Sequence, residues 1–126
     1  AFIDQAHRWR KMFGGGMRQS GIIASAGIYA LDHNISRLSK DHSRAKRLAE
    51  HLTSLRGLSV SMETVQSNMI YVETQRPASE WQNELSDHGL LCFALNEHSL
   101  RLVIHLQIDE ERIDQAIQIF TKVSTE

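Results

Sequence analysis

The sequence predicts an α/β fold: a small, mostly antiparallel sheet covered by helices on one face and preceded by a long helical lead-in. Three observations predict it. Apolar residues recur at steps of three and four through most of residues 1–57, the period shortens to two in short β-rich runs after Gly57, and segments of helical period separate and follow those runs. The chain has 126 residues, 41% hydrophobic and 23% charged. A core of this size can bury roughly two thirds of the unfolded surface, which excludes the disordered and fibrous classes.

Phe2, Ala6, Trp9 and Phe13 fall on one face of a helix, which the run Gly14, Gly15, Gly16 ends. A second helix is predicted to restart near Met17. Its stretch GIIASAGIYAL, residues 21–31, is apolar on nearly every side, so it is expected to be buried all round or pressed against another subunit, with Gly27 allowing close backbone approach. Beyond Asn34 the pattern turns amphipathic through Ile35, Leu38, Ala45, Leu48, Ala49, Leu52 and Leu55, and Gly57 stands where a C-terminal cap belongs. An unbroken helix from 17 to 55 would run about 58 Å at about 1.5 Å per residue, so a break near His33 and Asn34 is expected.

Leu58, Val60 and Met62 alternate with serines, and NMIYVE at 68–73 is β-rich, so both read as strands. Pro77 suits the first residue of a helix that turns Trp81 and Leu85 inward and closes at Gly89. Residues 90–94 and 99–106 read as strands. Asp109 is a good N-cap, with Glu110 and Glu111 in the first turn of a final helix, Ile113, Ala116, Ile117 and Phe120 on its inner face, and Lys122 near its end. The expected organisation is connecting helices over 1–56 and a small α/β domain over 57–126.

Net charge is −1, but residues 1–57 carry ten Lys/Arg against four Asp/Glu, whereas residues 58–126 carry four against eleven. An anionic partner, a solvated helix face or a partner subunit each fits that asymmetry; nucleic acid is not the expected partner. Cys92 is the only cysteine, so no internal disulfide can form. No apolar run approaches the length of about 18 residues that a membrane helix requires. A reducing, cytoplasmic location and no membrane partner are the expectation. The opening AFIDQAHRWRK has no initiator methionine and no apolar signal core, and is expected to begin mid-protein.

Two stretches could carry chemistry. In RWRKMFGGGMRQSG, residues 8–21, free N–H groups at a helix start, a glycine turn, and Lys11 and Arg18 on either side suit a phosphate or carboxylate; a glycine hinge with solvated cations is the alternative. In LRLVIHLQI, residues 100–108, Leu100, Leu102, Ile104 and Leu106 point to a core while Arg101, Val103 and His105 point the other way. Arg101 and His105 would then lie roughly 13 Å apart, too far to hold one small group between them. An arginine in so apolar a strand must be paired, for instance with Glu73, or face a cavity where its planar fork matches a carboxylate. His105 reads first as a hydrogen-bonded strand residue. His7, His33, His42, His51, His88 and His98 are scattered without metal-ligand spacing, so no metal site is expected. Cys92, in an apolar stretch, reads as an inert packed thiol.

The run RWRKMFGGGMRQSGIIASAGIYAL resembles the segment of low-specificity L-threonine aldolases that follows their cofactor lysine. LSKDHSRAKRLAEHL, QSNMIYVE and LRLVIHLQI are similar to the same family in order and spacing, so that the resemblance covers essentially the whole chain. It implies the small C-terminal domain, with connecting helices, of a fold-type I pyridoxal-phosphate enzyme that splits L-threonine or L-allo-threonine reversibly into glycine and acetaldehyde. It implies that Arg101 holds the substrate carboxylate, that Lys11 is a substrate-binding residue near the active-site entrance, and that Arg18 serves the cofactor phosphate. A homodimer or homotetramer is implied as well. The family's Schiff-base lysine lies well ahead of the position of Lys11, upstream of Ala1, so the chain alone is expected to be inactive. Ser39 and Lys40 superficially resemble a cofactor-lysine motif, yet they fall among charges on an amphipathic helix; Lys46 and Lys122 read likewise as solvated. The alternatives are another fold-type I lyase or aminotransferase, and a non-catalytic oligomerisation or anion-binding α/β module.

Overall fold

Backbone closure at the glycine run sets the first part of the chain. In the computed structural model, which describes residues 1–125, helix α1 (Phe2–Met12) ends in a Schellman turn. Gly14, at φ 87°, supplies the left-handed residue; its N–H donates to the Lys11 carbonyl (3.3 Å), and Gly15 N–H donates to the Arg10 carbonyl (2.8 Å). A side chain at Gly15 would lie 2.8 Å from that same carbonyl oxygen, so the turn requires glycine there. Helix α2 (Gly21–His33) begins later than expected, because Gln19 at φ 49° interrupts the helical backbone and leaves Ser20 as the N-cap. It ends at His33, with Asn34 as C-cap, where the break was expected.

Residues Ala1–Ser36 form one compact unit and the chain from Arg37 onward a second. Neither α1 nor α2 buries a single residue within the chain; Ile22 is 85% exposed and Leu31 66%. Burial of the apolar α2 all round therefore does not occur here. Single exposed apolar residues are ordinary, but a whole apolar helix in water is not.

The second unit starts at Arg37, ahead of the expected boundary at 57, because α3 (Leu38–Leu52) belongs with the sheet. Its stripe Ala45, Leu48, Ala49 and Leu52 is buried against sheet residues. Gly57 does not cap it: Thr53 is the C-cap, and Gly57 instead accepts the Gln75 N–H (2.9 Å) at the start of the sheet. The strands are β1 (Leu58–Ser59), β2 (Met69–Thr74), β3 (Phe93–Asn96) and β4 (Ser99–Val103), arranged β1-β2-β4-β3 and antiparallel throughout.

Three strands differ from the sequence pattern. The alternation at 58–62 yields only a two-residue β1, after which a 3-10 turn forms at Met62–Thr64. The strand expected over 90–94 slides to 93–96, since Gly89 and Leu90 are taken up in closing the preceding helix α4 (Ala78–Asp87). β4 stops at Val103: a turn follows, in which Ile108 N–H donates to the His105 carbonyl (2.8 Å), so Leu106 is exposed rather than core. Pro77 is the N-cap of α4 and not its first residue.

The core lies on one face of the sheet. Ile70 and Val72 of β2 and Leu100 and Leu102 of β4 meet the stripe of α3, Trp81 and Leu85 of α4, and Ile113, Phe120 and Val123 of α5 (Glu110–Val123). The Asp109 side chain accepts the Arg112 N–H (2.9 Å) as the expected N-cap of α5. Arg44 donates to Glu110 (2.7 Å) and Arg47 pairs with Asp114, tying α3 to α5 at the rim. The opposite face of the sheet presents Met69, Tyr71, Phe93 and Val103, each more than a third exposed.

Candidate functional site

Strand alternation decides where Arg101 goes. With Leu100 and Leu102 committed to the core, Arg101 must emerge on the open face of β4. β4 is flanked on both sides, and the register sets Tyr71 of β2 and Phe93 of β3 directly opposite Arg101. The guanidinium carbon lies 5.5 Å from the centre of the Phe93 ring, over its face. Its Nε is buried and donates to nothing. The salt bridge to Glu73 does not form: Glu73 stands opposite Ser99, one pair along the face, and Arg101 has no ion pair among the described residues. A buried guanidinium N–H without an acceptor is unfavourable unless something meets it. The chemistry best matched to a half-buried, unpaired guanidinium is a planar carboxylate.

The flanking aromatics were missed in the sequence. Period-two alternation identifies which residues share a face but not which strands are neighbours, and Phe93 was read into a strand of different limits.

Lys11 and Arg18 belong to the first compact unit and Arg101 to the second. Lys11, in the last turn of α1, folds over the glycine run: a methyl group at Gly16 would sit 2.8 Å from the Lys11 Nζ. The ammonium and the glycine turn are thus brought together. Arg18 stands on the exposed turn before α2, whose N-cap Ser20 makes no side-chain capping bond. The first N–H groups of α2 thus have no side-chain cap from Ser20, and Arg18 precedes the helix by three residues.

His105 lies beyond the end of β4, where its Nδ1 accepts the Gln107 N–H (3.3 Å) in the turn. Among the described residues no group of three His, Cys, Asp or Glu side chains is placed to hold a metal. Burial pushes the Cys92 thiol up to about 11, so it is protonated at neutral pH. A cavity of about 150 Å³ lined by Leu48, Leu102, Ile113 and Phe120, among others, is largely apolar and contains none of these candidates. No helix among the described residues is long and apolar enough to cross a membrane.

The fold has a counterpart among solved structures. A putative L-allo-threonine aldolase from Listeria monocytogenes superposes with a TM-score of 0.70 at 21% identity, over 96% of this chain and 37% of that one. The architecture is that of the small domain of fold-type I pyridoxal-phosphate enzymes. Residues 1–75 match the sequence pattern of the beta-eliminating lyases, and the chain belongs to that family. Low-specificity L-threonine aldolase 1 of Arabidopsis thaliana is 35% identical over 124 residues, which are 95% of this chain and 35% of that protein. The low specificity L-threonine aldolase of Escherichia coli K12 is 40% identical over 113 residues, 89% of this chain and 32% of that one. The chain thus spans about a third of the length of these relatives.

Proposed function

We propose that this chain is the small domain, with its connecting helices, of a pyridoxal-phosphate-dependent aldolase that cleaves L-threonine or L-allo-threonine to glycine and acetaldehyde. One observation carries the reading: an unpaired guanidinium, Arg101, held on the open face of the central strand β4 with a buried N–H lacking an acceptor. The names of the aldolases to which the chain is similar support the choice of substrate.

Arg101 donates to the substrate carboxylate and so fixes the orientation of the amino acid at its Cα. Lys11 binds substrate at the active-site entrance, and Arg18 serves the cofactor phosphate. Pyridoxal phosphate supplies, when bound, the electron sink that lets the Cα–Cβ bond break. The residues present suit its phosphate but not its anchoring amine: Lys11, Lys40, Lys46 and Lys122 all stand on exposed helix positions. The lysine that holds the cofactor therefore belongs to polypeptide beyond these residues, and the 126-residue chain alone does not cleave threonine. The apolar α2 is covered in a homo-oligomer, and the enzyme is cytoplasmic.

The full-length enzyme carrying Arg101→Ala tests the assignment. Losing a charge-assisted hydrogen bond of about 1.5–3 kcal/mol should lower kcat/KM for allo-threonine roughly ten- to a hundredfold, with KM raised and kcat reduced. Unchanged kinetics would remove Arg101 from the site, and transamination without acetaldehyde release would replace the aldolase reading with an aminotransferase.

A further inference from the structure

We infer that Phe93 is a positioning residue for Arg101: its ring carries the guanidinium on one face and uses none of its donors, so that the outer Nη groups stay free for the substrate carboxylate. The inference rests on the carboxylate-binding reading of Arg101 given above and goes beyond it by assigning what holds that side chain.

An arginine side chain has many rotamers, and a binding arginine needs something to restrict them. The usual restraint is a neighbouring carboxylate, which would occupy the same fork that the ligand needs. β4 avoids that conflict. No acidic side chain pairs with Arg101 among the described residues, and Glu73, on the same face, is displaced along β2 so that Tyr71 takes the place opposite. On the other side the register places Phe93 directly across the ladder, and the guanidinium carbon comes to 5.5 Å over the ring. A π-face attracts the cation through its quadrupole and uses no donor N–H. Phe93 is itself 56% exposed and lies outside the buried core, so this large apolar side chain is not needed to fill the interior. The buried, unpaired Nε shows that the inner part of the guanidinium is already enclosed, so that Phe93 fixes a group whose remaining freedom is a swing across the open face.

The test compares Phe93→Leu, which keeps an apolar strand residue but removes the ring, with Phe93→Tyr, which keeps it. Both are made in the full-length, cofactor-loaded enzyme, alone and combined with Arg101→Ala. Phe93→Leu is expected to lower kcat/KM for allo-threonine about three- to thirtyfold, the range of a cation–π contact between exposed and desolvated limits, with most of the change in KM. Phe93→Tyr should restore at least half of the lost activity. In the Arg101→Ala background Phe93→Leu should have no further effect, because its only route to the substrate has been removed. Wild-type kinetics for Phe93→Leu, or an undiminished loss in the Arg101→Ala background, would overturn the inference while leaving Arg101 in place. Wild-type kinetics for Arg101→Ala would instead overturn the reading on which it rests.

Discussion

Phe120 and Phe93 are the same residue type on opposite sides of one sheet, which makes them a direct measure of where the stability resides. Phe120 is fully buried, its ring 6.3 Å from that of Trp81. Phe93 is more than half exposed. Phe120→Ala removes a complete buried side chain and leaves a cavity in a layer bounded by α3, α4 and β4, which costs about 3–5 kcal/mol. A unit of about 90 residues is typically stable by only about 4–13 kcal/mol, so this single change should remove about a quarter of the total or more. Phe93→Leu gives up only a cross-strand contact and part of a cation–π interaction, about 1 kcal/mol or less. Urea unfolding of the 126-residue chain followed by tryptophan fluorescence reads both, since Trp81 lies against Phe120 and loses its apolar surroundings as the core opens. A Phe120→Ala loss below about 1 kcal/mol, or equal losses at the two positions, would show that the helices do not form the main core on that face.

Three further outcomes follow from local chemistry. The hydrogen bond from Arg76 holds the Glu84 carboxyl below its ordinary range, while Arg76 also stacks 4.4 Å over Trp81. A depressed carboxylate stabilises the fold above its ordinary pKa, so Glu84→Gln should be less stable than wild type at pH 7, with the gap in thermal midpoint closing as pH falls below about 4. Gly14→Ala meets no steric clash but must adopt φ 87°, so it should weaken the end of α1 by about 1–2 kcal/mol, seen as faster amide exchange at Gly14 and Gly15. Cys92, held near 11, should react slowly with a disulfide reagent at pH 7 and more than about tenfold faster once the chain is unfolded in urea; equal rates would mean that the thiol is not packed.

What could be read from the sequence was local and chemical. Asp109 announced α5 because its side chain caps a helix within three residues, and Gly89 announced the end of α4 because left-handed backbone is a property of one position. Arg101 stood out because an arginine among alternating leucines has only one face to occupy. What escaped depended on partners distant along the chain. The order β1-β2-β4-β3 makes Phe93 and Tyr71 neighbours of Arg101, and nothing in their spacing encodes that pairing. The length of β1 escaped for a related reason: alternation at Leu58, Val60 and Met62 persists, but only Leu58 and Ser59 find a partner strand. That the second compact unit begins at Arg37 also escaped, because the stripe of α3 shows that the helix buries a face, not what it buries it against.

The margins of the sheet limit how the molecule can meet copies of itself. One outer strand, β1, offers only two residues of ladder, and the other, β3, is interrupted by a register shift between Ala94 and Asn96. Neither margin presents a long, straight row of free amides and carbonyls on which a foreign strand could template, so intermolecular β-augmentation and fibrillar stacking are disfavoured from both sides.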